Sequence, residues 1–167
     1  MNSLLILEQT ALAQGREWTR QRLEIQAQKE VNDWGNLCPQ SQELLKYRKG
    51  QRLKVMTCSG LIVLKTCRGY SAALGRWVNP ARQRWGLQPK QRVSPELQSR
   101  LGFTATATGS YQKAAETATR WGSPVSDDLI HALVQRLGAQ AAELRLPEPE
   151  RVPGEPEFSL VIMMDGW

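Results

Sequence analysis

The chain has 167 residues, of which 41% are hydrophobic and 23% are charged. This length suits one ordinary domain or a few small modules and excludes a large enzyme, and the balanced composition excludes a chain that is disordered throughout. The net charge is +6, but its distribution along the chain says more than its total.

The first residues do not predict export or a membrane anchor. The apolar run Leu4–Leu7 is interrupted by Glu8, and no Lys or Arg precedes it, so it does not fit a signal peptide. No stretch approaches the roughly 20 apolar residues that a membrane span needs. Three cysteines are too few and too unevenly spaced for a secreted disulfide framework. We therefore expect a cytoplasmic protein with reduced thiols and no membrane partner.

An N-terminal helix is predicted within residues 1–36, from about Leu4 to Trp34. Gly15 is expected to break or weaken it. Apolar residues recur at roughly helical spacing, at Leu12, Trp18, Leu23, Ala27 and Val31. Such a helix either forms a homodimer or covers the neighbouring module, and we favour the second interpretation.

A basic module follows at residues 37–92. From Leu45 to Arg100 the single acid Glu96 stands against 13 basic residues: Lys46, Arg48, Lys49, Arg52, Lys54, Lys65, Arg68, Arg76, Arg82, Arg84, Lys90, Arg92 and Arg100. Such a block neutralises phosphates and releases counterions, which predicts a nucleic-acid partner. The alternative is a solvated basic face without a partner.

Inside this module the sequence predicts a β-hairpin with one basic face. Residues 52–57 and 61–67 are β-prone, and Cys58-Ser59-Gly60 separates them as a turn. In the first arm Leu53 and Val55 alternate with Arg52 and Lys54, so the apolar pair is expected inward and the cations outward. The candidate phosphate contacts of the hairpin are Arg52, Lys54, Lys65 and Arg68.

Three helices are predicted in residues 93–142. Ser94, Ser110 and Ser126 are expected to cap them, and Pro95 and Glu96 suit the first turn of the first helix. The helices should end near Gly109, Trp121-Gly122 and Gly138. The residues expected to point inward are Leu97, Leu101, Tyr111, Ala114, Ala115, Ala118, Leu129, Ile130, Leu133, Val134 and Leu137.

The second and third of these helices fit a helix-turn-helix unit that binds double-stranded DNA. In that arrangement the third helix enters the major groove, and His131 and Gln135 read base edges while Arg136 meets phosphate. Lys113 and Ser126 complete the candidate contacts. The alternative is a plain helical hairpin, which the acidic residues at positions 127 and 128 favour because they repel phosphate.

The basic module also carries the outline of a zinc ribbon with most ligands missing. Cys38-Pro39-Gln40-Ser41 has the spacing of one ligand pair, and Ser71 to Leu74 has the spacing of the other. Only Cys38 retains a ligand. We expect no bound metal and a ribbon held by packing, with Cys58 and Cys67 as small buried hydrophobic residues.

The last residues predict a Pro-rich linker at 143–157 and an isolated apolar strand at 158–167. Four prolines and no apolar periodicity mark the linker. FSLVIMM follows, an apolar run typical of a strand buried on both faces, and Asp165 stands directly after it. By itself the pair Asp165-Gly166 also fits a simple turn.

In this order the motifs resemble the N-terminal part of bacterial insertion-sequence transposases of the DDE type. The resemblance runs from Cys38 to Trp167 and is carried by CPQS, RLKVMTCSGLIVLKTCRGY, GRWVNPARQRWGL, VSPELQSRLGFTATATGSYQKAA, PVSDDLIHALVQRLG and MMDGW. It implies a zinc-ribbon-like module, a helix-turn-helix, a linker and a ribonuclease H-like catalytic domain. Asp165 would be the first catalytic carboxylate, and Mg²⁺ would be needed only in a completed enzyme.

The chain departs from this pattern at Ser41, Ser71 and Leu74, and it stops two residues after Asp165, before the second Asp and the Glu of such enzymes. We therefore expect an α+β, mainly helical, DNA-binding portion of a transposase that is catalytically incomplete and needs no cofactor. It would be a truncated relic, a fragment or the first frame of a frameshifted gene. The alternatives are a stand-alone helix-turn-helix regulator and a helical protein-interaction module.

Overall fold

A computed structural model describes residues 3–87 and 91–143, which form an α+β fold of five helices and one small antiparallel sheet. The predicted linker beyond position 143, the predicted strand at 158–167 with Asp165, and Lys90 lie outside the described residues. Within those residues, no helix combines the length and the apolar character that crossing a bilayer would require.

Helix α1 spans Ser3–Trp34 without interruption, so the expected break at Gly15 is wrong. Gly15 lowers the stability of the helix relative to alanine. Because the C-terminal half of α1 is anchored to the sheet, the helix nevertheless continues through the glycine. The helix ends where Gly35 takes a φ of 59°, a backbone conformation that favours glycine.

The sheet consists of β1 (Lys46–Thr57), β2 (Gly60–Ser71) and β3 (Arg76–Val78), in the order β1-β2-β3. The predicted hairpin is confirmed, and its strands are longer than expected. Its two-residue loop is closed by the pair Thr57 and Gly60. Leu53 and Val55 are buried as predicted, opposite Leu64 and Ile62, because alternate side chains share one face. We call this buried side the inner face.

The C-terminal half of α1 lies along the open edge of β2, because β3 pairs only with residues 69–71 and leaves the preceding edge without a strand. The side-chain amide of Gln28 accepts from the Lys65 N–H at 2.7 Å and donates to the Lys65 carbonyl at 3.0 Å. Glu24 accepts from the Val63 N–H at 3.2 Å. Side chains of α1 thus supply the hydrogen bonds that a further strand would otherwise supply.

One apolar core lies between the inner face, α1 and the short helix α2 (Pro80–Arg84). Neither β3 nor α2 was anticipated from the sequence. Asn79 caps α2 by accepting from the Arg82 N–H at 3.1 Å. The core is formed by Ala27, Leu53, Val55, Ile62, Leu64, Ala81 and Leu87, with Val31, Trp34 and Trp85 packed against it.

Helices α3 (Pro95–Thr108), α4 (Tyr111–Arg120) and α5 (Asp127–Glu143) form a second core. The three predicted caps are confirmed: Ser94, Ser110 and Ser126 each accept from the backbone N–H three residues later. The second core contains Val93, Leu97, Leu101, Ala105, Ala114, Ala118, Ile130 and Leu133.

Two details of the predicted helices and of the N-terminal helix need correction. Leu137 faces α3, where its Cδ1 would lie 3.3 Å from a Cβ on Gly102, but it is at the periphery of the bundle and stays 36% exposed. Gly138 lies inside α5, which continues to Glu143. On α1, Leu12 and Trp18 do not pack on the neighbouring module as expected but are 65% and 68% exposed. They lie N-terminal to the half of the helix that contacts the core.

The helical bundle is tied to the tip of the hairpin. Met56 donates from its N–H to the Arg92 carbonyl at 2.7 Å and accepts from the Ser94 N–H at 2.9 Å, which forms a short parallel bridge at Val93. The fully buried Ser123 donates from its hydroxyl to the Thr57 carbonyl at 2.8 Å. Backbone and side-chain hydrogen bonds therefore hold the two cores together.

Replacing Ser123 by Ala should destabilise the protein, because the buried Thr57 carbonyl loses its donor. The expected loss is about 1–3 kcal/mol in the free energy of unfolding, measured by urea denaturation. Ser99→Ala, at an exposed position of α3, is the matched control and should change stability by less than about 0.5 kcal/mol. Equal effects of the two variants would contradict the assigned role of Ser123.

Candidate nucleic-acid interface

The face of the hairpin opposite the inner face, here called the outer face, carries three exposed cations. Arg52 on β1 stands directly across from Lys65 on β2, and Lys54 follows Arg52 on the same side of the strand. Residues two apart on a strand are about 6.6 Å apart, and directly opposed Cβ atoms about 5 Å. The two strands therefore bring Arg52, Lys54 and Lys65 together. The alternation in the first arm predicted the outward positions of Arg52 and Lys54, and the register of the strands adds Lys65.

None of these three cations takes part in an ion pair. Among the described residues, ion pairs join Arg20 to Glu17 and Glu24, and Arg100 to Glu96. Glu24 lies at the edge of β2, where it accepts from the Val63 N–H. Like charges placed directly opposite each other on a sheet are destabilising, so the pair Arg52 and Lys65 has an unfavourable electrostatic energy. A bound polyanion would turn this repulsion into attraction.

Arg92 does not join this cluster. The bridge at Met56 and Val93 brings the exposed Arg92 to the edge of β1. Val93 shares the side of its bridge partner Met56, so the alternation puts Arg92 on the side of the inner face. Burial, and then the nearby charge of Arg92, lower the pKa of Arg82 on α2, which agrees with this position.

Arg68 lies on the other side of the sheet from this cluster. The alternation along β2 puts it on the same side as Leu64, and it pairs across the strands with Lys49. The guanidinium of Arg68 lies over the ring of Trp77, 5.2 Å from its centroid, and the ammonium of Lys49 lies at 5.9 Å. The alternation of side chains along β2, continued from Leu64 past Thr66, would have placed Arg68 on the inner side from the sequence alone. Neither Lys49 nor Trp77 was named as a site residue.

The candidate residues of the helical bundle have roles within the protein. Ser126 caps α5. The ring of His131 packs edge-on against the ring of Tyr111, with 5.1 Å between the ring centroids, and its Nε2 lies 3.5 Å from Nε2 of Gln135. Arg136 donates to the Gln98 side chain at 2.6 Å and is half-buried. Lys113 is exposed, and only its backbone N–H takes part in capping. The side chains of His131, Gln135 and Lys113 remain accessible to a partner.

The four positions of the incomplete zinc ribbon converge in space. Cys38 is fully buried with Leu45 and Val78, and Leu74 packs against them. The hydroxyls of Ser41 and Ser71 lie 3.4 Å apart. Burial raises the pKa of the Cys38 thiol, but hydrogen bonds from Ser41 and Ser71 outweigh it, so the pKa lies below its usual value. Cys38 and Ser71, which are 33 positions apart in the sequence, thus belong to one small cluster.

This cluster does not fit zinc. Tetrahedral zinc takes four thiolate, imidazole or carboxylate ligands, and here one thiol meets two hydroxyls and an isobutyl group. In the part of the chain that the structure describes, no group of three His, Cys, Asp or Glu side chains is placed to hold a metal. Hydrogen bonds and packing take the place of the metal.

The other two cysteines are half-buried rather than buried as expected. Cys67 donates from its thiol to the Asn36 side chain at 2.9 Å, and Cys58 packs against the helical core. Burial raises the pKa of both thiols, which keeps them protonated and unreactive at neutral pH.

Chelation should not change the melting temperature of the protein, since residues 3–87 and 91–143 contain no ligand set for a metal. Restoring the missing ligands with Ser41→Cys, Ser71→Cys and Leu74→Cys should create a zinc site, because the four positions already meet. Metal analysis should find one zinc per chain of the triple variant, with a melting temperature that falls on chelation. Adding Cys38→Ser to the triple variant should abolish this gain. A wild-type protein that unfolds on chelation would contradict the metal-free assignment.

Comparison of the chain with protein-family models, with curated proteins and with solved structures found no match in any of the three.

Proposed function

We propose that this chain binds double-stranded DNA, with the outer face of the hairpin lying along the phosphate backbone. The observation that carries the proposal is the cluster of Arg52, Lys54 and Lys65, which is exposed and takes part in none of the ion pairs among the described residues. Maintaining three such cations together costs electrostatic energy in the free protein. Phosphate contacts recover that energy and release counterions from the DNA.

We further propose that the chain is the DNA-binding front part of a DDE-type transposase. The convergence of Cys38, Ser41, Ser71 and Leu74 supports this, since a zinc-ribbon-like module would bring its ligand positions together in this way. The order of hairpin module and helical bundle also agrees with the resemblance. The proposal assigns only DNA binding to the described residues, because Asp165 lies outside them.

The helical bundle has a secondary role in this proposal. His131 and Gln135 are exposed on α5 and carry groups that can recognise base edges. Asp127 and Asp128 are also exposed, in the first turn, where they stabilise the helix and repel phosphate. The hairpin therefore supplies most of the affinity, and α5 contributes sequence selectivity. In a stand-alone helix-turn-helix regulator, by contrast, α5 would supply both.

Replacing Arg52, Lys54 and Lys65 together by Ala should weaken binding to all duplex sequences alike, by about 10- to 100-fold at low salt. The slope of the logarithm of affinity against the logarithm of salt concentration should fall by about 2 to 3, one unit for each lost phosphate contact. Fluorescence anisotropy with labelled duplexes of unrelated sequence measures both quantities.

The matched control keeps the charges and changes the side chains, with Arg52→Lys, Lys54→Arg and Lys65→Arg. This variant should retain the salt slope of the wild-type protein. Binding that does not depend on salt, or an alanine variant that binds as well as the wild type, would contradict the proposal.

The double variant His131→Ala and Gln135→Ala tests the role of α5. It should reduce the preference among duplex sequences while leaving the salt slope unchanged, because base contacts specify and phosphate contacts position. Binding to a pool of random duplexes, followed by sequencing of the bound fraction, measures this preference. A loss of all DNA binding in this variant would favour the stand-alone regulator.

A further inference from the structure

Helix α1 has a second apolar side, on which no described residue packs. The side that faces the sheet carries Ala27, Val31 and Trp34. The other side carries an exposed series that we call the distal stripe: Leu4, Leu7, Ala11, Trp18 and Ile25. Its four large side chains are all more than 60% exposed: Leu4 61%, Leu7 65%, Trp18 68% and Ile25 64%.

Helical geometry places the distal stripe directly opposite the sheet. Successive residues of a helix are rotated by about 100°, so its members fall within an arc of about 60° centred roughly 180° from Ala27. From Leu4 to Ile25 the stripe is about 32 Å long at ~1.5 Å per residue.

We propose that the distal stripe binds the distal stripe of a second copy of this chain, as a parallel two-stranded coiled coil. Leu4, Ala11, Trp18 and Ile25 are spaced by seven residues, which is the repeat of one core position of a coiled coil. A coiled coil has a second core position in each repeat, and here Leu7, Gln14 and Gln21 occupy it. A repeat of seven residues brings one side of a helix repeatedly against an identical helix.

The charges beside the distal stripe favour the parallel orientation. In that register Glu17 faces Arg22 of the partner subunit, five residues further along. Glu24, one heptad later, binds the Val63 N–H at the edge of β2 and does not take part. An antiparallel pair would lose the contact with Arg22 of the partner subunit, because it brings the flank of Glu17 against the same flank of the partner. Glu17 already binds Arg20, but its side chain is still 52% exposed and can accept a further bond.

The distal stripe is also preorganised. The sheet anchors α1 through Glu24, Gln28 and the core residues, so the helix does not have to form upon association. About three heptads with two Gln residues in the core make a modest interface, and the dimer should dissociate on dilution. Dimerisation does not require DNA, and its tests contain none.

Sedimentation velocity of the full chain over a range of concentrations measures the dimer. Wild-type protein should shift from monomer to dimer, and Leu7→Glu or Trp18→Glu should raise the dissociation constant by about tenfold or more, since each variant places a charge in the interface. Leu12→Glu is the matched control: Leu12 is 65% exposed, like Leu7, but lies about 140° away around the helix. It should dimerise like the wild type.

A disulfide tests the orientation. Ala11→Cys should form a cross-linked dimer under mild oxidation, because equivalent core positions face each other in a parallel pair. Leu12→Cys, one residue outside the distal stripe, should not. Both are compared with the wild-type protein, in which the native thiols are buried or half-buried. Dimerisation without a cross-link at Ala11→Cys would overturn the parallel arrangement.

Three results would overturn the proposal itself. The first is a wild-type chain that remains monomeric at every concentration. The second is a Leu12→Glu variant that dissociates as readily as Trp18→Glu. The third is a monomer that binds phosphatidylcholine and phosphatidylserine vesicles through the distal stripe, which would assign the stripe to a lipid surface. Circular dichroism of each variant establishes that α1 is intact.

Discussion

Between Leu61 and Lys65, β2 has backbone groups that no strand in the described residues pairs, and side chains of α1 supply their partners. Gln28 binds both backbone groups of Lys65, as a neighbouring strand would, and Glu24 binds the N–H of Val63. Because these bonds fix where α1 lies, they also bring Ala27 onto the inner face and close the apolar core. Because α1 lies at the edge and on the inner side, Arg52, Lys54 and Lys65 remain exposed on the outer face.

The two faces of the hairpin therefore have different tasks. The inner face is apolar and stabilises the fold, and the outer face collects Arg52, Lys54 and Lys65, which form no ion pair with the described residues. At the far end of the hairpin, a Cβ on Gly69 would lie 2.6 Å from that of Leu45, so only glycine allows the loop to pack so closely. Packing of this kind, together with the hydroxyls near Cys38, stabilises a module that lacks a full ligand set.

Helix α1 connects the fold to the proposed assembly, because its two apolar sides have opposite roles. One side completes the core of the basic module, and the distal stripe would join two copies. A dimer of this kind carries two outer faces related by a two-fold axis. Such an arrangement doubles the number of phosphate contacts without any new residue, and it agrees with a hairpin that supplies affinity rather than sequence selectivity.

The sequence alone determined the local features, because those depend on neighbouring residues. The alternation of Leu53 and Val55 with Arg52 and Lys54 predicted both faces of β1, and three serines predicted three helix starts. Only the tertiary structure decided that Cys38 meets Ser71 and that Trp18 faces solvent. These outcomes depend on which surfaces come into contact, and an apolar side chain on a helix does not specify which of two apolar sides will meet the core.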